Sequence, residues 1–169
     1  KGFEQKGLPV IGVLPYQKKL DIPTIREIQE ELKIEILYRG TVYDAMVENV
    51  LIGAMNVKDA IGYIRNNSLM IIPGDRGDMI ESVCRVHLGK LKKKYAISGI
   101  ILSGGLMPRR GHLNLIQRAG IAALITKDDT YSVASRVHSM TVKLKPQDTE
   151  KIKIIVDMVE KYVDIDKVV

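Results

Sequence analysis

Three short polar clusters in this chain combine groups that bind small anions: Pro73-Gly74-Asp75-Arg76, Ser103-Gly104-Gly105 and Asp128-Asp129-Thr130-Tyr131. The first continues through Gly77 and Asp78 into a helix-like stretch. Glycine lets the backbone approach a ligand closely, and free N–H groups at a helix start favour an anion. Arg76 can fork onto a phosphate or carboxylate, and Asp75 can accept hydrogen bonds from a sugar or hold a metal. Gly104 and Gly105 permit positive φ or close packing, beside the hydroxyl of Ser103. Asp129 caps a helix that opens with Thr130. That leaves Asp128 to meet Arg76 or a ligand, and Tyr131 to stack on a base. The candidate ligand-binding residues are therefore Gly74, Asp75, Arg76, Ser103, Gly104, Gly105, Asp129 and Thr130. The backbone N–H groups of Gly74, Gly104 and Gly105 are expected to donate, Arg76 to neutralise charge, and Asp75 and Asp129 to orient Arg76 or the ligand. Each cluster also has a plainer reading: tight turns, a helix capped by Asp78, and Arg76 paired with a nearby carboxylate.

Each cluster follows an apolar run: Leu69–Ile72, Ile97–Leu102 and Ala122–Thr126. Helix-like stretches succeed them, at Asp78–Leu91, at Leu113–Arg118 closed by Gly120, and from Asp129 to about His138. An earlier strand over Val47–Ile52 leads through Asn56 to a helix over Val57–Ile64. Repeated strand–loop–helix units predict an α/β fold with a mostly parallel sheet. Its loops share one edge, where open α/β sheets bind ligands. Leu8–Pro15 and Ile34–Leu37 read as further short strands, around a helix that Thr24 caps with Glu27 as its capping-box partner. A last helix is expected over 147–163. Residues 1–40 are too little to bury their own faces, so they are expected to dock on the rest or to be the tail of an upstream domain.

Composition narrows the function classes. The chain is 46% apolar, with no Trp and one Phe, so aliphatic side chains must build the core. A formal charge of +6 suits nucleotides or phosphorylated metabolites. The densest basic run, Lys90-Leu91-Lys92-Lys93-Lys94, falls at an expected helix end, where cations complement the helix dipole. With almost no aromatics between the basic residues, nucleic acid is not expected as a partner. Cys84 is the single cysteine and sits among Ile80, Val83, Val86 and Leu88, as a core residue would. No run reaches membrane-spanning length and no signal peptide is visible, so a cytoplasmic chain is expected. It does not begin with Met, as a fragment or processed chain would not.

Catalytic signatures are missing from the sequence. There is no Walker phosphate loop and no Gly-x-Ser-x-Gly elbow. His87, His112 and His138 lack metal-ligand spacing. No catalytic or metal-binding residue is assigned, no cofactor is expected beyond a nucleotide ligand, and the chain is not expected to be an enzyme by itself.

Taken in order, the clusters resemble the signature of the DRTGG domain family. Asp75-Arg76 match its Asp-Arg pair, and Ser103-Gly104-Gly105 its Thr-Gly-Gly with Ser for Thr. Val50–Met55 resembles the family's opening strand, and Asp129-Thr130-Tyr131 its later loop. The match covers roughly residues 41–140. Ile11–Pro15 and Leu20–Glu27 resemble the junction that follows a dethiobiotin-synthetase-like P-loop domain in long phosphate acetyltransferases and in stand-alone relatives. The resemblance implies that 1–40 is a linker or the C-terminal remnant of an upstream P-loop-like domain, and that 41–169 is the DRTGG domain. It further implies a three-layer α/β/α sandwich similar to the N-terminal domain of HPr kinase, in a regulatory, ligand-sensing or dimer-forming role. The expected function is a non-catalytic module binding a small anionic ligand at the loop edge. The alternatives are a homodimerisation module and an acyl- or phosphoryl-transfer enzyme.

Overall fold

A computed structural model describes residues 2–90, 95–146 and 148–165. In chain order the elements are α1 (Ile25–Leu32), β1 (Glu35–Tyr38), β2 (Asn49–Ile52), α2 (Val57–Tyr63), β3 (Ser68–Pro73), α3 (Gly77–His87), β4 (Ile97–Ser103), α4 (Arg110–Ala119), β5 (Ala122–Ile125), α5 (Thr130–Ser139) and α6 (Thr149–Tyr162). Residues 22–141 form one compact unit that holds the whole sheet; the chain's two ends, 1–21 and 142–169, form another.

The sheet has five strands in the order β1-β5-β4-β3-β2. Strands β2 to β5 are parallel and each pairs with the next in sequence, while β1 lies antiparallel on β5. Strand β3 is one apolar run buried on both faces, as parallel strands are. Its alternate residues divide between two cores. Met70 and Ile72 join Ile100, Leu102 and Ile125 under Ala60 of α2, Ile80 and Val83 of α3, and Ile116 of α4. Leu69 and Ile71 join Ile101 and Leu124 under Ile25 and Ile28 of α1 and Val133 and Val137 of α5. Helices on both faces make the expected three-layer sandwich. Cys84 is wholly buried in the first core, where burial pushes its thiol up to about 12, so it packs as a neutral small residue.

The caps explain where the helices stop and start. Thr24 and Glu27 form the expected capping box on α1. Gly120, in the left-handed region, ends α4 as expected. Helix α3 ends earlier than its apolar spacing suggests. Gly89 takes positive φ, its N–H bonds Val86 O at 3.1 Å, and Lys90 N–H bonds Arg85 O at 2.9 Å, a Schellman stop. The expected end of that helix at Leu91, and the basic run through Lys94, lie outside the described residues, as does residue 147 at the expected start of α6.

Two further elements differ from expectation. Leu8–Pro15 forms no strand: it has one bridge, Gly12 to Val163, beside the backbone bonds Asp164 N to Ile11 O at 2.7 Å and Leu8 N to Phe3 O at 3.1 Å. A strand needs a ladder, and a single bridge does not make one. Helix α4 begins three residues earlier than the apolar stripe indicates, because its first turn, Arg110-Gly111-His112, is polar.

Gly62 lies in α2 with open space around the site of a Cβ. Gly62→Ala should therefore stabilise the protein by ~0.5–1 kcal/mol. Ile101→Ala, in the wholly buried β4, should cost ~2–5 kcal/mol. Denaturant melts of both variants check the assignment.

Candidate functional site

Because β3, β4 and β5 are parallel, all three polar clusters leave the sheet at its carboxyl edge, beside Gly53–Met55 at the end of β2. Helices α4 and α5 then pass to opposite faces. Such a divergence is a topological switch point, and ligands commonly occupy the crevice between the parting loops. Here that crevice is stitched shut. Gly104 N–H donates to Asp128 O at 2.8 Å, and Gly105 N–H to Thr126 O at 2.7 Å. Ser103 is 1% exposed, and its Oγ lies 2.7 Å from Thr130 Oγ1. Gly74 N–H donates to Ser103 O at 3.2 Å. The donor role expected of these three glycines is corrected accordingly: their N–H groups are engaged by the protein's own carbonyls.

Arg76 is likewise committed. Its Nε and Nη2 donate to the two carboxylate oxygens of Asp78, each at 2.9 Å. Its Nη1 and Nη2 also donate to Gly53 O and Met55 O, each at 3.2 Å. The carboxylate partner is Asp78, not Asp75 or Asp129 as expected, and Asp78 makes no cap. Hydrogen bonding to Arg76 holds the Asp78 carboxyl below the usual carboxylate range. Arg76 thus ties the loop after β2 to the start of α3.

Asp129 caps α5 as expected, accepting from Ser132 N at 3.0 Å and from Ser132 Oγ at 2.5 Å. These bonds hold its carboxyl below the ordinary value. Asp128 is not spare: it accepts from Arg136 Nη1 at 2.7 Å, while Arg136 Nη2 donates to Leu32 O at 2.8 Å. Tyr131 stands 78% exposed.

One strand over, between the loops that follow β3 and β4, a cleft of about 410 Å³ opens. Gly74, Asp75, Gly77 and Asp78 form one wall, and Met107, Arg109 and His112 the other. Of the candidates from the sequence, Gly74 and Asp75 line this cleft, and Arg76, Ser103, Gly104, Gly105, Asp129 and Thr130 do not. The glycines set its width. A Cβ on Gly74 would overlap the Leu106 carbonyl, and one on Gly77 would overlap the His112 ring. Helix α4 starts at the cleft without a side-chain cap, after Arg109 and with Arg110 in its first turn. Sequence reasoning missed Arg109 and His112 because it began α4 at Leu113. The signal was the Pro108-Arg109-Arg110 run on the same edge as the glycine clusters. Among the described residues no group of three or more His, Cys, Asp and Glu is placed to hold a metal ion, and no helix is long and apolar enough to cross a membrane.

Comparison with known proteins adds the family context. The model of the DRTGG domain matches residues 27–140. Among curated relatives, the phosphate acetyltransferase of Nitratidesulfovibrio vulgaris is 31% identical over 157 residues, 91% of this chain and 22% of that protein. The phosphate acetyltransferase of Synechocystis sp. is 29% identical over 161 residues, 94% of this chain and 23% of that protein. The chain thus spans about a fifth of the length of these relatives. Among solved structures, the CBS and DRTGG domains of the regulatory region of Clostridium perfringens pyrophosphatase, complexed with the activator diadenosine tetraphosphate, share the fold. The TM-score is 0.55 at 18% identity, over 81% of this chain and 60% of that one.

Arg76→Ala should cost ~1–3 kcal/mol by freeing Asp78 and two loop carbonyls. Arg76→Lys should not restore it, because an ammonium cannot fork onto Asp78 and reach both carbonyls. The folded pKa of Asp78 is lowered, so its contribution is in place above the ordinary carboxylate pKa and is lost as pH falls through the lowered one. Thermal melts of wild type and Arg76→Ala should therefore differ most at neutral pH, and the gap should narrow in acid to the share held by the Gly53 and Met55 carbonyls.

Proposed function

The chain belongs to the DRTGG domain family, and from that premise we propose that it is a non-catalytic regulatory module that binds a small anionic ligand, a nucleotide or phosphorylated metabolite, at the carboxyl edge of its sheet. The cleft between the β3 and β4 loops carries this reading. It is the right size for a small molecule, and it brings Arg109 and the uncapped start of α4 to the edge where open sheets bind ligands. The ligand class is supported by the pyrophosphatase regulatory region, which shares the fold and was solved with a nucleotide activator. The net charge of +6 favours an anion on approach. In a longer protein related to phosphate acetyltransferase, such a module would report metabolite levels to a catalytic domain elsewhere in the chain.

A second reading, self-association, draws on the edge strand β2. Its Val50 and Ile52 are each 40% exposed on a strand with one open side. Sedimentation across a range of concentrations separates the two readings: a monomer that responds to ligand supports sensing, and a ligand-blind dimer supports assembly.

The direct test is a thermal-shift screen against diadenosine tetraphosphate, ATP, AMP, acetyl-CoA and acetyl phosphate. A ligand at 100 times its Kd should add ~2.7 kcal/mol of stability, a rise in Tm of roughly 5–10 °C for a domain of this size. Arg109→Ala should abolish the rise while leaving the Tm of the free protein unchanged. No rise with any compound refutes the sensing role.

A further inference from the structure

The two walls of the cleft are chemically unlike, and the difference narrows the ligand. On the wall built from the β3–α3 loop, Gly74 and Gly77 contribute bare backbone. Of its two carboxylates, Asp78 is held by both nitrogens of the Arg76 fork. Asp75 is exposed and, among the described residues, its side chain makes no hydrogen bond or ion pair. Asp75 is therefore the acceptor this wall has to offer. On the opposite wall Arg109 is exposed and, among the described residues, makes no ion pair; it stands at the uncapped start of α4 beside the half-buried His112. Met107 supplies apolar surface on the same wall.

A ligand that satisfies both walls needs an anionic end for Arg109 and hydroxyl donors for Asp75. An ionised carboxylate accepts hydrogen bonds through two oxygens and donates none, so a pair of neighbouring hydroxyls is its natural neutral partner. Acetyl phosphate, ionised at neutral pH, leaves Asp75 facing an anion without a donor, and inorganic phosphate offers no pair of neighbouring neutral hydroxyls. A free amino acid meets both charges but leaves much of a cleft of about 410 Å³ empty. Resting on the anion-sensing reading above, we propose that the cleft takes a ribonucleoside 5′-phosphate, with the phosphate at Arg109 and the ribose cis-diol hydrogen-bonded to Asp75. Asp75 is then the residue that distinguishes nucleotides from other phosphorylated metabolites.

Calorimetric titration of the whole chain tests this. AMP, GMP, CMP and UMP are compared with the 2′,3′-dideoxy form of whichever binds, and with acetyl phosphate, in wild type and in the Asp75→Asn and Arg109→Ala variants. The expected result is ribonucleotide binding that weakens at least tenfold on removal of the diol. Asp75→Asn should weaken the ribonucleotide by a similar factor and bind the dideoxy form no worse than wild type does. Arg109→Ala should weaken both forms. Equal affinity for ribo and dideoxy forms, or an unchanged affinity in Asp75→Asn, overturns the diol contact and leaves anion sensing standing. Acetyl phosphate binding where no nucleotide does has the same meaning. No binding by any of the compounds overturns both. Asp75 is exposed and makes no side-chain bond among the described residues, so a matching thermal melt confirms that its variant is folded.

Discussion

The carbonyl oxygen of Leu106 rests against the α-carbon of Gly74 so closely that only a hydrogen fits between them. That approach governs the carboxyl edge. It draws the loop after β4 across the start of the loop after β3, and Gly74 N–H completes the join by donating to Ser103 O at 3.2 Å. Just beyond the join the same two loops part, and the space between them is the cleft. A second close approach, of the His112 ring on Gly77, sets the far side. The cleft is thus framed by glycines that touch neighbouring segments rather than by glycines that wrap a ligand. Freedom from a side chain serves chain packing here first, and access to a ligand only as a result of it.

The position of the cleft follows from how the loops spend their hydrogen bonds. Geometry alone favours the crevice between β4 and β5, where α4 and α5 part toward opposite faces. In that crevice the backbone bonds of Gly104 and Gly105 and the hydroxyl pair of Ser103 and Thr130 fill the space that a ligand would need. Buried polar groups are paired as a rule, and groups already paired with one another have less to offer a guest. Between β3 and β4 both loops run toward helices on the same face, and their residues line the two sides of the cleft. Among the described residues, Asp75 and Arg109 there make no side-chain hydrogen bond or ion pair, while Asp78 is held by Arg76.

Much of this was legible in the sequence. The apolar run Leu69–Ile72 and the capping signals at Thr24, Asn56 and Asp129 pointed to strands and helices that form. The shared edge followed from their order. What could not be read was which polar residues are consumed by the fold. Arg76 and Asp78 stand two apart in the chain, yet the carbonyls that complete the Arg76 shell come from Gly53 and Met55. Asp128 is claimed by Arg136, which also reaches across to Leu32 O in α1. Bonds of that span depend on tertiary placement, and no local spacing announces them. Arg109 escaped notice for the opposite reason: it belongs to a polar first turn, and a search for apolar periodicity begins a helix only where its stripe begins.

The antiparallel pairing of β1 with β5 carries a consequence for the making of the protein. Glu35 lies opposite Ile125, so the strand made first waits for the strand made last. At ~5–20 residues per second, the intervening 90 positions take roughly 5–20 s to synthesise. Throughout that interval β1 has no neighbour to pair with and α1 lacks the Leu124 part of its core, while β2, β3 and β4 can already pair in order of appearance. A nascent chain with a paired parallel centre and an unpaired strand at its front is the kind of intermediate that chaperones engage. Moving the chain's start to the connection between β1 and β2, with α1 and β1 appended after α5, would remove the delay and turn a long-range closure into a local one.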